Sequence, residues 1–245
     1  MTDRDWEKVH QIQAAYTGAM AFNKVVGVPL YPATHPINST LDLLQIPTYL
    51  SSIRIITYLK NTPEFNQFDP DDRVTLVKYN LLAVVFMHTV LIYEPIADTY
   101  HEHNTDDPIF QGKDWTRVLG EDLYHEITTA AKNLIEIIEY DRVIAKFLLL
   151  IILFTKGFCA YSIEHEPSLN NPAIVFNSQN VYVETLYKYC IHQYGLSRTV
   201  TLFTRLINQL FAVQRLAIHL KDLVHSEIDA SQLSPLMQTV LQLED

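Results

Sequence analysis

TYLKNTPEFNQFDPDDRVTLVKYN, residues 57–80, is the stretch whose reading decides the fold. It closes one helical segment on Lys60 and opens the next at Asp69-Pro70-Asp71-Asp72. There Asp69 is a helix cap, and Pro70 sits at the first helical position, where no N–H is needed. The acids that follow suit the positive end of the helix dipole. A chain with a net charge of −10 thus sets two lysines, Lys60 and Lys78, on either side of a tight helix junction.

Outward from this junction, apolar residues recur at spacings of three and four, and only 6 glycines interrupt 245 residues. The chain reads as nearly all helix, in segments of roughly 4–26, 41–61, 70–94, 115–139, 140–157, 175–195, 197–226 and 233–242. Two stretches, LLAVVFMHTVLIY (81–93) and VIAKFLLLIILF (143–154), are apolar around almost the whole helical circumference. Such helices must be covered on two sides, so the expected architecture is an all-α, three-layer antiparallel helical sandwich, with at most a short β-turn after the central helix. The loops 30–40 and 95–114 are the long irregular stretches. No repeat, charge run or second domain boundary is visible, so 1–245 reads as one domain.

Composition narrows the function. An apolar content of 48% supports a continuous core, and an acidic balance opposes duplex binding, which draws on lysine and arginine. Two cysteines, Cys159 and Cys190, allow neither a disulfide framework nor a zinc finger and fit a reducing compartment. The N-terminus MTDRDWEKVHQ lacks a signal-peptide core, and the apolar runs 81–87 and 147–154 are short for a membrane span, so a soluble chain with no membrane partner is expected. Phosphate-binding loops, nucleophile elbows and His-Glu-x-x-His pairs are absent, so no enzyme and no metal site is expected. The cluster Tyr100-His101-Glu102-His103, with Asp98, Asp106 and Asp107, reads as a solvated loop.

Tyr58-Leu59-Lys60, Pro63, Phe65, Phe68 and Asp72-Arg73-Val74-Thr75-Leu76-Val77-Lys78 resemble the signature of nuclear receptor ligand-binding domains. LLLIILF (148–154), YVETLYKYCIHQYG (182–195), SRTVTLFTRL (197–206) and SPLMQTVLQ (234–242) follow in the family's order, so the resemblance covers nearly the entire chain. It implies the ligand- and coregulator-binding domain of a transcription factor. Residues 233–242 would form the C-terminal activation helix, no DNA-binding module is present, and the expected compartment is the nucleus, with the cytoplasm second.

By the same resemblance, Lys60 and Lys78 hold the carbonyl end of a docked Leu-x-x-Leu-Leu coregulator helix, which is partly negative. Ile56, Val74 and Val77 form the groove's apolar floor, and Leu236 and Val240 come from the activation helix. Thr239 stands where the family usually carries the clamping glutamate, which implies altered coactivator recruitment, with corepressor binding or repression favoured.

A small lipophilic ligand, the one non-protein component implied, would be lined by Thr48, Ser51, Ser52, Ile55, Val85, His88, Thr89, Ile92, His219 and Leu223. A neutral imidazole at His88 prefers a hydroxyl or carbonyl to an acid. Pro47 is awkward for one long helix and points to a helix beginning near it.

In 197–226, Leu202, Leu206, Val213, Ala217 and Leu220 form a core stripe. A second stripe, Val200, Phe203, Ile207 and Leu210, is the candidate dimer interface, for a homodimer or a heterodimer with a retinoid X receptor-like partner. The glutamates that the family pairs with an arginine such as Arg205 are missing at Ala83 and Ile144, so the dimer class stays open. The alternative function is a ligand-independent dimer partner or repressor with a filled pocket.

Overall fold

A computed structural model describes residues 1–25, 34–158 and 166–243, with the side chains of 22–25 left aside; Cys159 lies outside them. The helices are α1 (Asp3–Val25), α2 (Thr40–Leu43), α3 (Tyr49–Lys60), α4 (Pro63–Gln67), α5 (Pro70–Ile92), α6 (Gly112–Leu119), α7 (Glu121–Ile137), α8 (Arg142–Leu153), α9 (Pro172–Tyr194), α10 (Leu196–Glu227) and α11 (Pro235–Leu241). Strands β1 (Tyr93–Glu94), β2 (Thr99–Tyr100) and β3 (Phe110–Gln111) pair antiparallel in the order β1-β2-β3.

The protein is an all-α, three-layer sandwich. Helices α5 and α8 pack most extensively on each other, with α1 and α3 on one side and α7 and α10 on the other. That arrangement follows from the two all-round apolar segments: Leu81–Val84 and Leu148–Leu150 are almost wholly shielded from solvent. At 23 residues α5 is long and apolar enough to cross a membrane, longer than its 81–87 run suggests, yet 67% of its most apolar window is buried inside the protein.

Polar side chains fix the middle layer. Asp69 caps α5, its carboxylate accepting from the Asp71 amide at 2.9 Å. The buried Asp72 carboxylate accepts from the Asn170 and Asn171 amides at 2.6 and 2.9 Å, which ties the start of α9 to the start of α5. Buried Asn80 donates to the Leu153 and Thr155 carbonyls at 2.8 and 2.7 Å and accepts from the Phe158 amide at 3.0 Å. One amide thereby satisfies the last carbonyl of α8, that of Leu153, and holds the turn that follows it.

Three local expectations change. The segment 115–139 is two helices, because Gly120 adopts φ 81°, a left-handed value that glycine reaches without strain. The loop 95–114, read as irregular, contains β2 and β3, which with β1 make the short β-element expected after the central helix. No helix begins at Pro47: the helix starts at Thr40, capped by Ser39, and passes through Pro47 as a π-helical turn, Leu44–Thr48, into α3. Proline offers no N–H to the usual carbonyl, and a wider turn absorbs that gap without ending the helix.

Candidate functional site

The C-terminal helix is built to stay where it lies. Ser234 caps α11, with its hydroxyl accepting from the Met237 amide at 3.4 Å, and Pro235 takes the first helical position. Met237, Val240 and Leu241 fall on one face and are buried, in large part against α5. The helix stops at Gln242, whose left-handed backbone (φ 55°) turns its amide back across the structure. Gln242 Nε2 donates to the Lys78 carbonyl at 3.2 Å, and the buried Lys221 ammonium donates to Gln242 Oε1 at 2.8 Å. His225 Nε2 lies 3.2 Å from the Leu241 carbonyl.

This seating places α11 against α5, the helix that carries Lys78. Lys60 is exposed in the last turn of α3 and Lys78 is half-buried in α5, and among the described residues neither ammonium has an ion-pair or hydrogen-bond partner. Val74 is 60% exposed, and Ile56, Val77 and Leu236 are half-buried, so apolar surface remains on each of the three helices. Val240 is different from its expected role. It is turned into the core, because the inner face of α11 takes positions 237, 240 and 241 and leaves Leu236 and Thr239 towards the outer side.

The second candidate site is a narrow cavity of about 30 Å³, open at its mouth, between the π-turn, α3, α5 and the small sheet. Thr48, Ser51, Val85, His88, Thr89 and Ile92 all line it. Ser52 and Ile55 are buried but off its wall, Ser52 being turned back to donate to the Thr48 carbonyl at 2.8 Å. Leu223 is half-buried in α10 and also lies off the wall. His219 is exposed; in α10 the inward positions are Leu216, Ala217, Leu220, Lys221 and Val224, and a residue two places from Lys221 falls on the opposite side.

The cavity floor is polar, which the sequence reading missed. Arg54, 3% exposed, makes a two-pronged ion pair with Asp107. His88 Nε2 lies 3.0 Å from Glu102 Oε2 and 2.9 Å from the Tyr16 hydroxyl, which itself donates to Glu102 at 2.8 Å. Burial pushes the Glu102 carboxyl up, but the bonds from His88 and Tyr16 and the charge of Arg54 outweigh it and hold it below the usual carboxylate range. Tyr93, Tyr100 and Trp115 stack in series, with ring centroids 4.7 and 4.3 Å apart, and the last two line the wall.

The loop read as solvated is therefore folded under α3, with Tyr100 and Glu102 buried. One signal was available: Arg54 falls on the same helical face as Leu50, Ser51, Ile55 and Tyr58. An inward arginine demands an acid, although sequence spacing alone does not say which.

The second stripe of α10 remains at the surface, with Val200 and Ile207 about half exposed and Phe203 and Leu210 partly covered. Phe203 packs edge-on against Tyr187 at 5.1 Å. Among the described residues no group of three or more His, Cys, Asp or Glu is placed to share a metal ion. Burial pushes the Cys190 thiol up to about 12, so it is a poor nucleophile at neutral pH. Neither the family models nor the curated proteins contain a match to this chain.

Proposed function

We propose that the chain is a nuclear-receptor-type domain that docks coregulator helices in the groove between α3, α5 and α11 and takes a small lipophilic molecule in the cavity beneath. The observation that carries this reading is the seating of α11, whose terminal Gln242 is bonded to the backbone of Lys78 itself. That contact sets one lysine and the activation helix in a fixed relation, with the exposed Val74 and the half-buried Val77 beside them. A docked amphipathic helix would cover this apolar surface and present its unsatisfied carbonyls to the two ammonium groups.

Titration of a labelled Leu-x-x-Leu-Leu peptide tests it. Lys60→Ala and Lys78→Ala should each cost about 1 kcal/mol, close to a fivefold loss of affinity, and more at low salt than at high salt. Unchanged binding in the double variant would overturn the groove assignment. Thr239 stands half-buried on α11, where a carboxylate would meet the positive N-terminus of the docked helix. Thr239→Glu should therefore tighten the same peptide about threefold, and no gain in the titration would count against the orientation proposed.

The runner-up reading is a ligand-independent dimer partner or repressor. It is favoured by one observation: Val200 and Ile207 on α10 are about half exposed, an apolar stripe at the surface. Sedimentation of the purified protein with and without Ile207→Glu reports on the α10 stripe, where a charge would abolish a dimer built on it.

A further inference from the structure

Four buried side-chain nitrogens among the described residues have no hydrogen-bond partner: Arg54 Nε, His88 Nδ1, His101 Nδ1 and Trp115 Nε1. All four residues line the same cavity, and His88, Arg54 and Trp115 are each more than nine-tenths buried. An unmet buried polar group costs on the order of 1–3 kcal/mol, so four around one space constitute a demand for a polar occupant.

The chemistry of the four atoms states what that occupant carries. Arg54 Nε–H and Trp115 Nε1–H are donors only, and each needs an oxygen to accept. His88 Nε2 is committed to Glu102 and Tyr16, which leaves Nδ1 to face the occupant. In the neutral ring Nδ1 accepts, and in the charged ring it donates. A hydroxyl satisfies either state, since it both donates and accepts, whereas a carboxylate serves only one.

Charge points the same way. Arg54 is already neutralised by Asp107, and Glu102 already has His88 beside it and Arg142 at 3.9 Å. A carboxylate would bring a further negative charge next to two buried acids, and Arg54, the cation on the wall, is already paired. Leu50, Val85, Ile92 and Phe110 add apolar wall, and the hydroxyls of Thr48, Ser51 and Thr89 are uncharged.

We infer that this cavity takes the polar end of a neutral amphipathic molecule, carrying a hydroxyl and a neighbouring oxygen as in a vicinal diol or hydroxy-ketone, rather than the carboxylate of a fatty acid. The inference rests on the ligand-binding reading above and specifies the class of ligand.

Decane-1,2-diol, decan-1-ol and decanoate are the probes, titrated calorimetrically into the full chain and scored by thermal shift. The diol should raise the melting temperature and bind at least about tenfold more tightly than decanoate, with the mono-alcohol between them. Trp115→Phe, which keeps the ring and removes the N–H, should weaken the diol about fivefold and leave the Leu-x-x-Leu-Leu peptide affinity of the probe-free protein unchanged. Decanoate binding as well as the diol, or a diol affinity indifferent to Trp115→Phe in a folded variant, would overturn the inference. So would the absence of a shift with all three probes, the four nitrogens then being met by solvent. The wild-type comparison of diol with acid needs no variant to fold. A protein that binds the peptide and no diol sinks this inference alone; one that binds the diol and no peptide sinks the coregulator reading alone.

Discussion

Arg54→Ala should lower the free energy of unfolding by about 3–5 kcal/mol, the cost of leaving a buried charge without its partner. The Asp107 side chain is 11% exposed, its carboxylate spans both Arg54 Nη atoms, and the arginine side chain on the inner face of α3 is 4% exposed. Part of the loss is packing, because the arginine stem fills space between α3 and the loop after β2. Urea denaturation measures the total, and the double replacement Arg54→Leu with Asp107→Leu separates its parts. With both charges gone the deficit should shrink to about 1 kcal/mol or less, since an apolar pair of similar volume often replaces a buried ion pair without penalty. A double variant as unstable as Arg54→Ala would mean that shape, and not charge, holds the loop.

Gly112→Ala should cost about 3 kcal/mol, at the upper end for overpacking. A Cβ on Gly112 would collide with Asp98 Oδ2 and the Tyr124 hydroxyl. Neither can step aside cheaply. Asp98 Oδ1 accepts from the Tyr124 and Tyr93 hydroxyls at 2.6 and 3.0 Å, its carbonyl accepts from the Gly112 amide at 2.8 Å, and its backbone is already held at φ 50°. The displaced group sits at the base of the Tyr93–Tyr100–Trp115 stack, so the loss should appear in near-ultraviolet circular dichroism as well as in the melting temperature. An alanine variant as stable as the parent would show that this corner is slack.

Much of the architecture was legible because it is set by periodicity. The apolar circumferences of 81–93 and 143–154 required two covered sides, and α5 and α8 have them. Asp69-Pro70 fixed the start of α5 to the residue. Of the expected pocket residues, Ser51 on α3 and Val85, His88, Thr89 and Ile92 on α5 gather on one wall because a regular helix keeps its phase, while Ser52 and Ile55 turn off it. His219 was misplaced on α10, although the core stripe Leu206, Val213, Ala217 and Leu220 already located the inward side, which Lys221 and not His219 shares.

What stayed hidden is long-range pairing. Arg54 meets an acid 53 residues away, and Tyr16 reaches Glu102 across 86. Nothing in the run Tyr100–Asp107 announces that it folds inward, since its composition is that of a surface loop and only the fold supplies its partners. Val240 illustrates a smaller loss: the apolar residues of a seven-residue helix do not say which of them faces the core until the neighbours are in place.

The π-turn at Leu44–Thr48 sets the angular phase of everything before it. One surplus residue in a helical turn rotates the preceding segment by roughly 100° about the axis relative to an unbroken α-helix. From that rotated setting Thr40 donates to Glu227 at 2.9 Å, and within the turn itself Gln45 donates to the Gln232 carbonyl at 2.7 Å. Pro47 thus works as a mechanical key, indexing the beginning of one helix to the segment that leads into the last.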